Sequence, residues 1–424
     1  MMLLPRFVRH NHRRAFAMVP CPHDYLSALS SALLSGFNPF GGLARMAPGP
    51  NAVEIVMLEW LRSLVGYDEQ ASGVFTSGGS ASNLTCLAVA CIHKLGQERG
   101  MGVAYLSTQT HPVLIRALRM LSIRDENIRL IDTDEHHEID LLALERAIAQ
   151  DLGAGLRPFC IIGNAGTTNS AAVDPLEAMA ELCERYELWL HLDGAYGGPA
   201  ILTERGKKVL AGLSAADSIA LDPHKWLFQN YEMGIALIRQ GSRLAQTYRL
   251  TAHYFEGFEE KRRMIDFKDR GLQLSRDVKA LKLWMYLRQR GIAAIRRDID
   301  HGMDSAEYAQ ALVESMNEWE VTTAAQLGVL TFSFRPVGLS DTLVDELNQS
   351  LVVRLNETGF ASVNHTRLGG RAVLRMCTIN PRTTRRDIQD TLGLLRGLAQ
   401  GLKQEYEAQS KESTIQPERE EYLA

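Results

Sequence analysis

The chain has 424 residues, 46% of them hydrophobic and 23% charged, with a formal net charge of −4. That length supplies a large core and two lobes, and the charge balance leaves no case for a general nucleic-acid or membrane surface. No apolar run approaches the roughly 18 residues of a membrane span, and six cysteines without a Cys-x-x-Cys pair read as reduced, buried thiols of a cytoplasmic protein.

Residues 1–20 carry Arg6, Arg9, Arg13 and Arg14 with His10 and His12, which read as a solvated flank rather than a targeting arm. A short helix and then a glycine-proline loop are expected over 26–50, and Ile55, Leu58, Leu61 and Val65 fall at helical spacing. Val74-Phe75-Thr76 leads into Ser77-Gly78-Gly79-Ser80-Ala81-Ser82-Asn83 at the head of an apolar helix. Small residues there leave main-chain N–H groups exposed, and Ser80 and Ser82 add hydroxyls. That is an anion cradle suited to a phosphate, although a serine-glycine turn that simply caps a helix looks the same.

Strands and helices then alternate. Strands are expected at 103–106, 128–131, 159–162, 188–192, 219–221 and 234–238, with helices opening at Pro112 and spanning 141–152 and 175–186. The alternation predicts an α/β fold with a mostly parallel sheet and helices on both faces. Ser80, His111, Thr168, Asp193 and Lys225 each follow a strand directly. The carboxyl ends of strands in an open α/β sheet share one crevice. Singly, each residue has a plain explanation: a helix cap, a satisfied loop histidine, a turn hydroxyl, a capping carboxylate, a loop lysine. Jointly they predict a site for a phosphorylated carbonyl cofactor. Asp222-Pro223-His224-Lys225-Trp226 is its centre. Proline ends the strand, and an amine standing partly out of water at a strand end is suited to attack a carbonyl.

These stretches together resemble the pyridoxal-phosphate-dependent group II amino-acid decarboxylases, of the aromatic-L-amino-acid decarboxylase type. The matching runs are Gly79-Ser80-Ala81-Ser82, Gln109-Thr110-His111, Gly166-Thr167-Thr168, His191-Leu192-Asp193-Gly194-Ala195-Tyr196 and Asp222 to Trp226. The resemblance implies the PLP-dependent transferase fold of the aspartate-aminotransferase type. It implies a remnant of an N-terminal segment at 1–20, a large PLP-binding domain over 21–290 and a small α/β C-terminal domain over 291–424. It implies pyridoxal 5'-phosphate as cofactor and no metal. Lys225 is similar to the lysine that forms the Schiff base, Asp193 to the partner of the pyridine nitrogen, and His111 to the residue stacked on the ring. Ser80, Ala81, Ser82 and His224 would surround the phosphate, with Thr168 and Ala195 near the ring. Asp222 departs from relatives that carry Asn there, and its role is left open.

The charged stretch 248–271 resembles the family's mobile active-site loop, and Tyr254 falls where family decarboxylases keep a proton-donating tyrosine. The catalytic set implied is therefore Lys225, Tyr254 and His111. The implied reaction is decarboxylation of a small-molecule L-amino acid to the amine and CO2, in a cytoplasmic homodimer that needs neither nucleic acid nor membrane. Family members usually begin with a helical segment that wraps the partner subunit; this chain starts close to where that segment would end, so either its start is misassigned or the dimer is held by less surface. The alternatives are oxidative decarboxylation to an aldehyde, an aminotransferase reaction, and an inactive truncated paralogue acting as a binding protein. His111 and Tyr254 speak against the first, a required 2-oxo acid would mark the second, and retention of every cofactor residue speaks against the third. A substrate wall of Phe16, Met18, Val19, Phe37, Phe40, Gly42 and Leu43 would admit an aromatic side chain without requiring one. Arg375 is read as a structural ion pair, or else as a contact for a substrate carboxylate.

Overall fold

The computed structural model describes residues 9–249 and 265–415. They divide into two compact units. One is Cys21–Thr168 with Ala172–Ile299; the other takes the described residues up to Pro20, Asn169–Ala171 and those from Asp300 onward.

The first unit opens with α1 (Tyr25–Phe37) and α2 (Pro48–Leu64), then β1 (Ser72–Thr76), α3 (Gly79–Leu95), β2 (Gly102–Ser107), α4 (Val113–Met120) and β3 (Ile128–Ile131). It continues through α5 (Leu141–Gly153), β4 (Arg157–Asn164), α6 (Leu176–Arg185), β5 (Trp189–Asp193), α7 (Glu204–Val209) and β6 (Ser218–Leu221). The single turn α8 (Pro223–Trp226), β7 (Gly234–Ile238), α9 (Ser242–Tyr248), α10 (Lys279–Arg290) and the start of α11 (Ile292–Glu314) complete it. Local chemistry sets several of these ends. The Asp24 and Asp140 carboxylates accept from Leu26 N and Ala143 N and cap α1 and α5, while proline occupies the first turn of α2, where no N–H is needed.

The seven strands lie in the order β1-β7-β6-β5-β4-β2-β3. Only β7 runs against its neighbours β1 and β6, so β1 to β6 all point their carboxyl ends the same way. Every residue of β2, β5 and β6 is buried, as in a sheet covered on both faces. Parallel register sets Asn164 beside Asp193 and Asp193 beside Ala220, which brings the ends of β4, β5 and β6 level.

The stretch expected to be mobile is anchored at its C-terminal end. Phe267 is fully buried, Asp266 Oδ1 accepts from Ala44 N at 2.8 Å, and Asn51 Nδ2 donates to Ile265 O at 2.8 Å. A lid therefore does not extend over 265–271. Residues 250–264, Tyr254 among them, lie outside the described residues.

In the second unit β8 (Trp319–Gln326), β9 (Val329–Phe334), α12 (Asp341–Glu357), β10 (Asn364–Leu368), β11 (Arg371–Cys377) and α13 (Arg385–Ile415) follow. The sheet order is β10-β11-β9-β8, antiparallel throughout. Trp319, Phe332, Phe334, Leu347, Leu351 and Leu395 form its core together with Phe16. Phe16 N donates to Ser362 O at 2.8 Å, and Phe16 O accepts from Cys377 N at 3.0 Å. Phe16 is thus a core residue of this unit and not part of a substrate wall. Arg375 also differs from expectation. It is buried, its Nη1 donates to Met18 O at 2.6 Å, and its Nε and Nη2 have no partner among the described residues; the expected ion pair is not formed.

All six cysteines are buried and none forms a disulfide. Burial pushes the thiols of Cys21 and Cys91 up to about 12 and those of Cys86, Cys160 and Cys183 up as well. No helix among the described residues is long and apolar enough to cross a membrane.

Candidate active site

A cavity of about 480 Å3 opens at the carboxyl ends of the parallel strands. β1 ends at Thr76 and hands over to α3, whose cap residue Gly78 has φ 153° and supplies no side-chain cap. The first N–H groups of a helix have no intrahelical partner, and the helix end carries partial positive charge. Gly78, Gly79 and Ser80 turn this end into the cavity wall. Glycine is required for the close packing behind it. A Cβ on Gly78 would stand 3.0 Å from His224 Cε1, and one on Gly79 would stand 2.8 Å from Asp222 Oδ2.

Across from this helix start, Asp193 ends β5 and its Oδ1 accepts from Ala195 N at 3.1 Å. Lys225 sits in the turn α8, where Pro223 at the first helical position stops β6 and reverses the chain. Its Nζ is 3.2 Å from Asp222 Oδ2, so the amine stands in an ion pair with a fully buried carboxylate. His224 holds Met233 O at 2.6 Å through Nδ1 and places Nε2 3.7 Å from Asp222 Oδ2. His111 is exposed at the cavity mouth, with Nδ1 accepting from Val113 N at 3.2 Å. The protein around both rings displaces enough water to lower their pKa values, against the opposing pull of the nearby carboxylates.

Ser80, His111, Thr168, Asp193, Ala195, His224 and Lys225 therefore line one cavity. Ala81 and Ser82 do not. Ser82 is buried, its hydroxyl lies 2.7 Å from that of Thr76, and its N–H donates to Gly78 O. That hydroxyl also ties the strand-to-helix turn together. Asn83, Tyr196, Tyr231 and Glu232 also border the cavity. Asn83 and Tyr196 stand inside quoted motifs and could have been found there. Tyr231 and Glu232 lie in a loop with no periodicity to mark them.

Behind this wall, His191 is held on both sides of its ring. Nδ1 is 2.9 Å from Ser218 Oγ, Nε2 is 2.9 Å from Asn83 Oδ1, and Trp189 Nε1 donates to the same serine at 2.8 Å. Burial pushes the imidazole down to about 4 from the usual 6.5. The sign follows directly: the unfolded chain takes up a proton below 6.5 and the folded one resists until about 4, so stability falls as pH drops through that window. The expected loss is on the order of 3 kcal/mol. Urea midpoints from pH 7 to pH 4 check it: the fall should be shallower in His191→Gln, and equal slopes would rule out this histidine as the titrating group.

An amine, a carboxylate and an imidazole around an uncapped helix start form the donor set that a phosphorylated aldehyde with a basic ring nitrogen requires. With the doubly wound sheet, they define a pyridoxal-phosphate-dependent enzyme of the aspartate-aminotransferase fold. The chain belongs to the pyridoxal-dependent decarboxylase family: residues 2–335 match the model of the pyridoxal-dependent decarboxylase conserved domain. It is 41% identical over 398 residues to the aromatic-L-amino-acid decarboxylase of Bacillus atrophaeus, covering 93% of this chain and 83% of that one. The crystal structure of Oryza sativa TDC with PLP and tryptamine superposes with a TM-score of 0.89 at 26% identity, over 94% of this chain and 86% of the other. That of Rhodiola rosea 4-hydroxyphenylacetaldehyde synthase gives 0.87 at 25%, over 94% and 85%. The reaction is pyridoxal-phosphate-dependent decarboxylation of an amino acid, and the enzyme is a carboxy-lyase.

Proposed function

We propose that the cavity at the strand ends is the decarboxylation site for an aromatic L-amino acid, with its residues in the following roles. Lys225 carries the cofactor. Asp193 faces the ring nitrogen and keeps it protonated. Ser80, the main-chain N–H groups at the start of α3 and His224 hold the phosphate, while Thr168, Ala195 and His111 border the ring. When bound, pyridoxal phosphate supplies a protonated ring that accepts the electron pair of the breaking Cα–carboxylate bond. The observation that carries the reading is the convergence of residues from five strand ends on one cavity. The aromatic substrate class rests on the similarity to the Bacillus atrophaeus enzyme.

The reading extends to a cytoplasmic homodimer. Six buried cysteines, none in a disulfide, support the compartment. The homodimer is supported by α1, which is inside out: Ser27 and Ser30 are buried, whereas Tyr25, Leu29, Leu33 and Phe37 are exposed, Phe37 at 78%. Those four recur every fourth residue and form one apolar stripe. An exposed stripe of this kind marks an interaction surface, and a second copy of the chain is the occupant that fits the resemblance.

Tyr254, in this reading, returns a proton to Cα after CO2 has left. Tyr254→Phe keeps the ring and removes the phenolic proton, so affinity for cofactor and substrate changes little. Amine formation slows by ~10²-fold or more, as when a general acid is lost, and in oxygen part of the product appears as aldehyde. Amine and aldehyde are measured together on tyrosine, tryptophan and 2,4-diaminobutyrate, for wild type and variant, with sedimentation of the same samples. An unchanged amine rate removes Tyr254 from the chemistry. Preference for the diamino acid overturns the aromatic assignment, and a fully active monomer overturns the dimer.

A further inference from the structure

β1 is an edge strand: among the described residues its one neighbour in the sheet is β7. The main-chain groups of Phe75 are nonetheless taken, by a pair of charged side chains. Glu54 on α2 and Arg276 just before α10 are both buried. They meet through both prongs of the guanidinium, Nη1 to Oε2 at 3.0 Å and Nη2 to Oε1 at 2.8 Å. Arg276 Nη2 also donates to Phe75 O at 3.0 Å, and Phe75 N donates to Glu54 Oε1 at 3.3 Å. The planar fork and its carboxylate thus stand in for a missing strand.

We propose that the Glu54–Arg276 pair positions the anion cradle: by gripping the N–H and C=O of Phe75 it fixes where the start of α3 stands, and with it the N–H groups that meet the cofactor phosphate. The proposal rests on the reading that the phosphate is held there.

The restraint passes along a short path. Thr76 follows Phe75; its Oγ1 accepts from Gly78 N at 3.3 Å and lies 2.7 Å from Ser82 Oγ. Gly78, Gly79 and Ser80 come next, at the cavity wall, whereas Glu54 and Arg276 stand outside it. Core stability alone does not account for the pair. Desolvation of two buried charges offsets most of their attraction, and apolar side chains of the same bulk would fill the space as well. What apolar side chains cannot do is hold the donor and the acceptor of one residue together.

The test is to titrate cofactor-free protein with pyridoxal phosphate and, separately, with pyridoxal, which has the same aldehyde and ring but no phosphate. Absorbance of the bound form gives both dissociation constants. Glu54→Leu combined with Arg276→Met removes the pair without leaving one buried charge alone. Arg276→Lys is the milder variant should the first fold poorly, since it keeps the charge but has no fork to span Glu54 and Phe75. Ser80→Asp places a carboxylate at the helix start itself. The pair variants should weaken pyridoxal phosphate about tenfold, the size of one weakened charge-assisted hydrogen bond, and leave pyridoxal within about twofold. Ser80→Asp should weaken the phosphate ester more strongly still and spare pyridoxal likewise. Equal loss of both ligands in the pair variants marks a general scaffold and overturns the proposal. So does an unchanged preference for the phosphate ester in them while Ser80→Asp abolishes it. A preference that Ser80→Asp leaves intact places the phosphate elsewhere and overturns the proposal together with the reading beneath it.

Discussion

Lys225→Ala abolishes turnover and the long-wavelength absorbance of bound cofactor. Lys225 is the lysine among the described residues of the cavity wall. It sits in the α8 turn with Nζ held 3.2 Å from Asp222. Alanine has no amine to join to the cofactor or to release product by exchange. The expected loss is ~10⁴-fold or more in kcat, the size found when a covalent nucleophile is removed. The protein should still fold, because the side chain is partly exposed at the cavity, though Asp222 loses its counter-charge. Amine release is assayed beside an absorbance scan and borohydride reduction. A variant with the wild-type band and a trapped adduct would place the anchor on a different lysine.

Asp193→Asn comes next in size. Its Oδ1 accepts from Ala195 N at 3.1 Å, and an asparagine oxygen can take the same bond, so the cavity and most of the cofactor binding survive. What disappears is the negative charge that, in the proposed role, keeps the ring nitrogen protonated. Loss of a preorganised electrostatic partner is worth ~3–4 kcal/mol, or 10²–10³-fold in kcat. Rapid-mix measurements of substrate decay on cofactor-saturated variant test it. Near-normal kcat would exclude Asp193 as the partner of the ring nitrogen.

Both residues were legible in the chain because a buried parallel strand announces itself and its end is easy to place. Ile219-Ala220-Leu221 before Asp222-Pro223, and Trp189 to Leu192 before Asp193, needed only apolar runs and a breaker, and the structure ends β6 and β5 there. The edges of the antiparallel sheet were harder. β8 is only partly buried along most of its length, and β10 alternates exposed and half-buried polar residues, so neither carries a hydrophobic signature. Spacing cannot say which of two serines on one helical turn lines the cavity, and it is Ser80 that does. Phe16 and Arg375 were misplaced because their surroundings come from residues far away in sequence, as in the bonds from Phe16 N to Ser362 O and from Arg375 Nη1 to Met18 O. Tyr231 and Glu232 reach the cavity through a loop whose path no local rule fixes.

The burial of all six cysteines has a practical side. Alkylating reagents attack thiolates, and a thiol that is shut away from water and holds its proton tightly reacts slowly. The native chain is thus a quiet background for maleimide chemistry while it stays folded. A single Leu142→Cys on the exposed face of α5 would be the fast-reacting thiol, ready to take a fluorophore or spin label with none of the natural six replaced. In the presence of excess reagent, the slow appearance of the other six would then clock the opening of the folded core.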